Sequence, residues 1–353
     1  MAFTLGDLLL IIDKTALNPY ITAFAPILLH LFTDNKFVIE QTGGLLKYGI
    51  VRPFAPLLYK SIVLFCAGAI IRLNRSLNKK ALNNGVDAKF DWPKEIIVVT
   101  GGSGGIGGEA VKKLASRGSQ IVVLDVLPLT YAPPKNVHFY KVDLTDYEAL
   151  QEVSSRISKD IGDPTIVVAN AGICRGKPIL QATKRDIELT FGVNNMGMLY
   201  TAKAFLPSMV KNNHGHFLII ASQTGYLATA GVTDYSATKA AAINIYEGLQ
   251  TETKHIYKAP AVRFSCISPS AVNTKMFAGL KAGSGFFMPR LSAADVGGLI
   301  AETLWSGNSS NLLVPAFAYI SVPSKLFPDW MRVGMQDGGA DVMSDLNPHK
   351  PLD

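Results

Sequence analysis

The sequence predicts an α/β fold, a doubly wound parallel sheet, preceded by an N-terminal hydrophobic membrane-associating region. Three observations carry this. From about Glu95 onward, short apolar runs alternate with helical stretches, a pattern that implies βαβ units with right-handed crossovers. The first of those runs ends in a glycine cluster that opens a helix. The oiliest stretches lie before residue 95, outside the alternation.

At about 150 residues per domain, 353 residues fit two units or one large α/β domain with an appendage. Hydrophobic residues make up 48% and charged residues 17%, and mean hydropathy is +0.22; this excludes wholesale disorder. A net charge of +7 is compatible with an anionic membrane surface and decides nothing alone. Between Lys14 and Asp34 lie 19 uncharged residues, including Phe24, Leu28, Leu31 and Phe32. That is close to the length of a spanning helix, although Pro19 and Pro26 interrupt helical hydrogen bonds. A second oily stretch, Phe54–Ile71, is split by Lys60, leaving 11 uncharged residues before Arg72, Arg75, Lys79 and Lys80. Positive charge beside an apolar segment stays on the cytoplasmic side or rests on anionic headgroups. Asp7 and Asp13 bracket the Leu8–Ile12 run with no basic stretch ahead of it, unlike a secretory leader. The expected organisation is a membrane-anchor region over 1–94, a catalytic domain over 95–315 and a C-terminal tail over 316–353. The alternative for the oily segments is a pair of buried core helices. Cys66, Cys174 and Cys266 form neither a metal spacing nor a disulfide framework.

Within the alternating region, Ile96–Thr100 leads into Gly101-Gly102-Ser103-Gly104-Gly105-Ile106-Gly107, and a helix follows with Ala110, Val111 and Leu114. The next strands are Ile121–Leu124, ending at Asp125; His138–Val142, ending at Asp143; and Thr165–Ala169, ending at Asn170. Phe217–Ala221 ends at Ser222, and Val262–Ile267 at Pro269. Helices are expected near Asp146–Ile161, Thr183–Val210, Asp234–Tyr257 and Ala293–Leu304. Ligands sit beyond the carboxyl ends of such strands, so each terminal polar residue is a site candidate.

Gly101, Gly105 and Gly107 suit a strand–turn–helix that carries a pyrophosphate. The turn needs permissive dihedrals, the backbone must approach closely, and the helix N-terminus attracts negative charge. Asp125, 18 residues past Gly107, can accept from adenosine ribose hydroxyls and would repel a 2′-phosphate, which favours NAD over NADP. Tyr-x-x-x-Lys occurs at Tyr131–Lys135 and Tyr235–Lys239. Pro133 and Pro134 bar the first copy from a helix. In the second, spacing of four puts both side chains on one helix face, where the lysine is expected to lower the phenol's pKa and make it a proton acceptor or donor. Ser222 could hold the substrate oxygen. Asn194 falls in a helix where asparagine is disfavoured and is a candidate for a proton relay, with Asn195 as competitor. The absence of a Gly-x-Ser-x-Gly elbow or a His/acid metal spacing argues against a hydrolase or metalloenzyme.

Taken together, Thr100-Gly101…Gly105-Ile106-Gly107, Asn170-Ala171-Gly172, Asn194, Ser222 and Tyr235…Lys239 resemble the ordered motifs of the short-chain dehydrogenase/reductase family, across roughly 95–315. The resemblance implies a Rossmann-like fold, a catalytic tetrad of Asn194, Ser222, Tyr235 and Lys239, and Asp143 near the adenine. It also implies cofactor contacts from Ser103, Ile106, Asn170, Ala171, Gly172, Tyr235, Lys239 and Pro269. Ala204-Phe205-Leu206-Pro207, His214-Gly215-His216 and Thr229-Ala230-Gly231 resemble the membrane-anchored retinol and hydroxysteroid dehydrogenase branch. That likeness implies a lipophilic alcohol or carbonyl substrate at the endoplasmic reticulum or lipid droplets, no nucleic acid partner, and a possible homodimer. Small residues such as Ala202, Ala204, Ala240 and Ala241 would permit its helices to pack closely. The competing class is a non-catalytic membrane or lipid-droplet scaffold that retains the nucleotide-binding fold. Pro269-Ser270 departs from the family's Pro-Gly, and the long N-terminal region exceeds its usual single anchor. The same likeness makes Lys275–Leu291, with Met276, Phe277, Leu280, Phe286, Phe287 and Met288 among Gly279, Gly283 and Gly285, a substrate lid. The lid and the apolar patch Leu312–Leu326 are expected either to face lipid or, equally, to pack on the sheet or at a subunit interface.

Overall fold

The computed structural model describes residues 4–23, 36–42, 45–51, 55–281 and 285–346. The chain divides into two compact units, Phe3–Asn78 and Lys79–Asp353.

In the first unit, α1 (Leu5–Lys14) opens on a capping box. Asp7 N donates to Thr4 Oγ1, and Thr4 N donates to the Asp7 carboxylate. A single turn, α2 (Pro19–Thr22), follows. Next comes an antiparallel hairpin of β1 (Lys36–Thr42) and β2 (Leu45–Val51) that the oily composition did not lead us to expect. Helix α3 (Ala55–Leu82) runs through Lys60 unbroken. Asp13 of α1 pairs with Arg75 of α3 at 2.9 Å, and that guanidinium lowers the carboxyl pKa. Gly68 permits the close approach, because a Cβ there would lie 2.2 Å from Leu17 O. Of the first oily stretch, Phe24, Pro26, Leu28, Leu31 and Phe32 lie outside the described residues. Among the described residues no helix is long and apolar enough to cross a membrane.

The second unit is the expected doubly wound sheet. Its elements are β3 (Ile96–Thr100), α4 (Gly105–Leu114), β4 (Gln120–Asp125), β5 (Val137–Lys141), α5 (Tyr147–Asp160), β6 (Ile166–Ala169), α6 (Lys184–Phe191), α7 (Gly197–Asn212), β7 (His216–Ile220), α8 (Thr233–His255) and β8 (Arg263–Pro269). After these come β9 (Val272–Asn273), β10 (Leu291–Ser292), α9 (Ala293–Trp305), β11 (Asn311–Val314) and α10 (Asp329–Asp337). Seven parallel strands stand in the order β11-β8-β7-β6-β3-β4-β5. The order reverses between β3 and β6, which sets the ligand crevice at their carboxyl ends.

Strand side chains alternate between two cores. Val98, Val122, Val167, Phe217 and Phe264 meet α5, α7 and α8 on one face. Ile97, Val99, Ile121, Val168 and Leu218 meet α4 and α9 on the other. Burial on both faces explains why these strands read as continuous apolar runs. Ala202 is buried in the first core, where its small size serves packing against the sheet.

Two expectations are corrected. The helix expected over Thr183–Val210 is interrupted by a π-helical turn, Gly192–Met196, in which Gly197 N donates to Gly192 O. The apolar patch from Leu312 begins as β11, the seventh strand, with Leu313 buried against β8. Only its later part, including Tyr319, Val322 and Leu326, is exposed.

At the amino edge of the sheet, the fully buried Arg263 has backbone carbonyls as its hydrogen-bond partners among the described residues. It donates to Asn83 O at 3.0 Å, to Gly307 O at 3.3 Å and to Val86 O. Ser309 N donates to Asn83 Oδ1, and Gln250 donates to Leu82 O. Residues 82–86 are thereby tied to the strands on the side opposite the glycine loop.

Candidate active site

The glycine loop is built by exclusion. Gly101 has φ +65°, and a Cβ there would lie 2.8 Å from Ala171 Cα; at Gly107 it would lie 2.2 Å from Gly101 O. Side chains at either position would break the contact between β3, its loop and α4. The N-cap of α4 is Gly104, which offers no side-chain cap. A Cβ on Gly105 would meet nothing nearer than Thr274 Cγ2 at 3.9 Å, so the helix start faces open space. Uncapped amides at an open helix N-terminus, reached over bare glycines, fit a pyrophosphate.

Ser103 and Asp125 stand together. Ser103 N donates to Asp125 Oδ2 at 3.0 Å, and Leu127 N donates to Asp125 Oδ1 at 3.0 Å. The Ser103 hydroxyl turns away to Leu127 O, while Ile106 packs at the margin of the second core. Tyr131, in the Tyr-x-x-x-Lys copy that is a loop, donates its hydroxyl to Gly102 O at 2.9 Å and lays its ring against Gly108. Asp143, one strand farther out, accepts from Thr145 N and Oγ1 and lines an open depression of about 790 Å³ with Tyr147, Tyr200 and Lys203.

Asn170 is a strut rather than a free ligand. Its Nδ2 donates to Thr100 O and Gly101 O, each at 3.0 Å, while Asn170 N and Ala171 N both donate to Thr100 Oγ1. Next to it, a Cβ on Gly172 would lie 3.3 Å from Asn194 Oδ1 and 3.5 Å from Lys239 Nζ. Asn194 is fully buried in the π turn. It accepts from Ile173 N at 2.8 Å and donates to Ile173 O and to Thr238 Oγ1, each at 2.9 Å. Thr238 in turn donates to Tyr235 O. The Asn194 amide is thus occupied in fixing the loop after β6 to α8. Asn195 donates to Thr238 O, and its Oδ1 is buried with no partner.

Ser222, Tyr235 and Lys239 converge at the end of β7. The Ser222 hydroxyl accepts from Thr224 N at 3.2 Å and donates to Pro269 O at 3.5 Å. Lys239 Nζ donates to Ile220 O at 2.8 Å and sits 5.6 Å from the Tyr235 ring centroid. The phenol's pKa departs from expectation: burial, then the neighbouring Cys174, pushes it up, opposed by Ser222. Burial also brings Lys239 down to about 8. Desolvation dominates, so the phenol holds its proton at neutral pH.

Residues 95–284 match the family model for short chain dehydrogenases. The chain belongs to the short-chain dehydrogenase/reductase family. It is 34% identical over 222 residues to Dehydrogenase RED2 of Cochliobolus heterostrophus, covering 61% of this chain and 84% of that one. It is 32% identical over 206 residues to human Epidermal retinol dehydrogenase 2, covering 56% of this chain and 66% of that one. It is 34% identical over 188 residues to human 17-beta-hydroxysteroid dehydrogenase 13, covering 51% and 62% respectively. This short-chain dehydrogenase is therefore an oxidoreductase of the retinol/hydroxysteroid branch, using a nicotinamide cofactor. Among its described residues there is no cluster of three or more His, Cys, Asp or Glu that could hold a metal.

Motif reading passed over Thr238, whose signal was a polar side chain on the face of α8 that carries Tyr235. Phe277, expected in the lid, sets its ring 5.7 Å from Tyr235 in an edge-to-face contact. The segment carrying it is closed at its neck, where β9 pairs with β10 and Leu291 N donates to Ala271 O at 2.9 Å. Gly283 of this segment lies outside the described residues.

Proposed function

We propose that this dehydrogenase transfers a hydride between NAD, preferred over NADP, and a lipophilic alcohol or carbonyl of retinoid, steroid or long-chain type. The observation that carries the reading is the setting of Tyr235, which lies in an apolar cluster with Cys174, Val232 and Leu280 and with Phe277 packed against it. An oily substrate is at home in that cluster; a sugar or amino acid would leave polar groups unpaired.

The glycine loop would hold the pyrophosphate, Asp125 the adenosine ribose, and Lys239 with Tyr235 the nicotinamide ribose. When bound, the nicotinamide supplies the hydride acceptor or donor. Ser222 holds the substrate oxygen, and Tyr235 exchanges a proton with it. Lys239, largely cationic at neutral pH, steadies the phenolate when the proton has left. Asn194 positions Ile173 and α8. Residues 1–94 would associate with a membrane of the endoplasmic reticulum or a lipid droplet, the catalytic unit facing the cytoplasm. Supporting this, Leu9, Leu10, Ile11, Ile70 and Leu73 are exposed.

The deciding experiment follows NADH formation by membrane-bound protein over retinols, sterols and long-chain alcohols. Tyr235→Phe is expected to lower kcat by about 100-fold or more with the fold intact by circular dichroism. A variant that oxidises the best substrate at the wild-type rate overturns the reading.

A further inference from the structure

After α10 the chain makes a series of turns over 338–346, and this segment bridges parts of the site that are far apart in sequence. Met343 and Leu346 are buried in one packed cluster with Cys174, Val232, Tyr235 and Leu280. Leu346 lies against Gly176, where a Cβ would come within 2.8 Å of its Cδ2; Met343 lies over Gly231, 3.5 Å from a Cβ there. The loop after β6, the approach to α8 and the lid segment therefore all meet the same two side chains.

The polar attachments of this segment are few. Lys281 N donates to Val342 O at 3.1 Å, and Lys281 Nζ faces Asp345 at 3.5 Å through solvent-exposed side chains. Such an ion pair contributes little. What holds the segment down is the burial of two flexible apolar side chains, an interaction another apolar body can replace. Next to Tyr235 in the chain, Asp234 Oδ2 is buried without a hydrogen-bond partner, an unfavourable arrangement. Tyr235 itself is only 5% exposed, so a substrate oxygen reaches the phenol only if something over it moves.

We propose that residues 338–346 are a strap closing the substrate chamber, and that Met343 and Leu346 are specificity-determining side chains that touch the substrate's apolar body. The proposal rests on the reading that Tyr235 exchanges the substrate's proton. A substrate lifts the strap, replaces part of its contact with Tyr235, and is then enclosed between these side chains and the lid. Longer or broader substrates gain from the contact, whereas a short alcohol does not reach it.

The three cysteines give a readout independent of turnover. Cys66 is exposed, Cys266 is buried in the sheet, and Cys174 is buried under the strap. The full-length wild type and a Met343→Ala/Leu346→Ala double variant are exposed to N-ethylmaleimide, and each cysteine is followed by peptide mass spectrometry. Cys174 alkylation is expected to speed up about 10-fold or more through local opening, while Cys266 remains protected and so reports an intact fold. In parallel, kcat/KM for a long-chain alcohol is expected to fall about 10-fold or more relative to a short one, through KM. If the double variant also exposes Cys266, the milder Leu346→Ala is read instead. Unchanged Cys174 alkylation with Cys266 protected, or an unchanged ratio between long and short alcohols, overturns the proposal. Alkylation needs no turnover, so a fully active Tyr235→Phe would sink the catalytic reading and leave the strap to be judged by Cys174.

Discussion

Single side chains set the chemistry here largely through burial. His216 is fully buried, with Nε2 2.9 Å from Ser265 Oγ, and desolvation followed by the Arg263 charge brings its pKa down to about 3. Between pH 6.5 and 3 the unfolded chain binds a proton that the folded chain does not, so stability falls as pH falls through that window. From pH 7 to 4.5 this one residue is expected to remove about 2.5 kcal/mol. The measurement is the urea midpoint at both pH values; in His216→Gln the drop should shrink by that amount, and an unchanged drop refutes the assignment. On the proposed reading, Asp125 carries the cofactor preference. Its carboxylate is held by Ser103 N and Leu127 N, and Asp125→Ser removes the repulsion of a 2′-phosphate. Relative kcat/KM for NADP over NAD is expected to rise about 10-fold or more. Wild-type protein that binds NADPH more tightly than NADH contradicts the reading. Tyr235 and Lys239 were legible because a four-residue spacing fixes a shared helix face. The upward shift of the phenol was not, since the depth of burial is a property of the whole fold.

At the scale of elements, the strands announced themselves. β3, β4 and β6 are apolar on both faces and lead into Thr100, Asp125 and Asn170 at one end of the sheet. β11 escaped notice because its four residues run directly into the apolar 316–326 segment. The β1–β2 hairpin had a signal in Gly43-Gly44 between two strand-like runs, outweighed by the oily stretches on either side. The π turn could not be read at all, since a helical pattern does not reveal one extra residue in a turn. Its function is mechanical: it carries Asn194 into bonds with Ile173 and Thr238. Asn194→Ala deletes three hydrogen bonds, the one to Thr238 buried and the two to Ile173 partly buried, and is expected to cost about 3 kcal/mol, visible as a lowered urea midpoint. Full stability in that variant would show the turn to be supported elsewhere.

For the whole molecule, the decisive boundary lies between the N-terminal unit and the sheet. Residues 82–86 belong to the sheet's amino edge by virtue of Arg263, Ser309 and Gln250. Deleting residues 1–78 leaves that clamp whole; deleting 1–94 strips the Arg263 guanidinium of two of its carbonyls. The shorter deletion is expected to keep NADH formation on a short alcohol and leave the membrane fraction. The longer one is expected to lose a further 3 kcal/mol or about that. Equal stability of the two proteins, measured by urea unfolding, would show the clamp to be dispensable, and a 79–353 protein still pelleting with membranes would remove the proposed role of the anchor region.

The neck formed by β9 and β10 reaches beyond catalysis. Two residue pairs bring the ends of the 274–290 loop together in parallel register, so the entropy of closing that loop is largely met at its base and varies slowly with its length. Its interior can lengthen, shorten or change composition while Ser222, Tyr235 and Lys239 stay where the sheet and α8 put them. Inheritance can then act on the loop as an exchangeable cassette, and new substrate preferences arise by descent without the proton-transfer machinery being rebuilt.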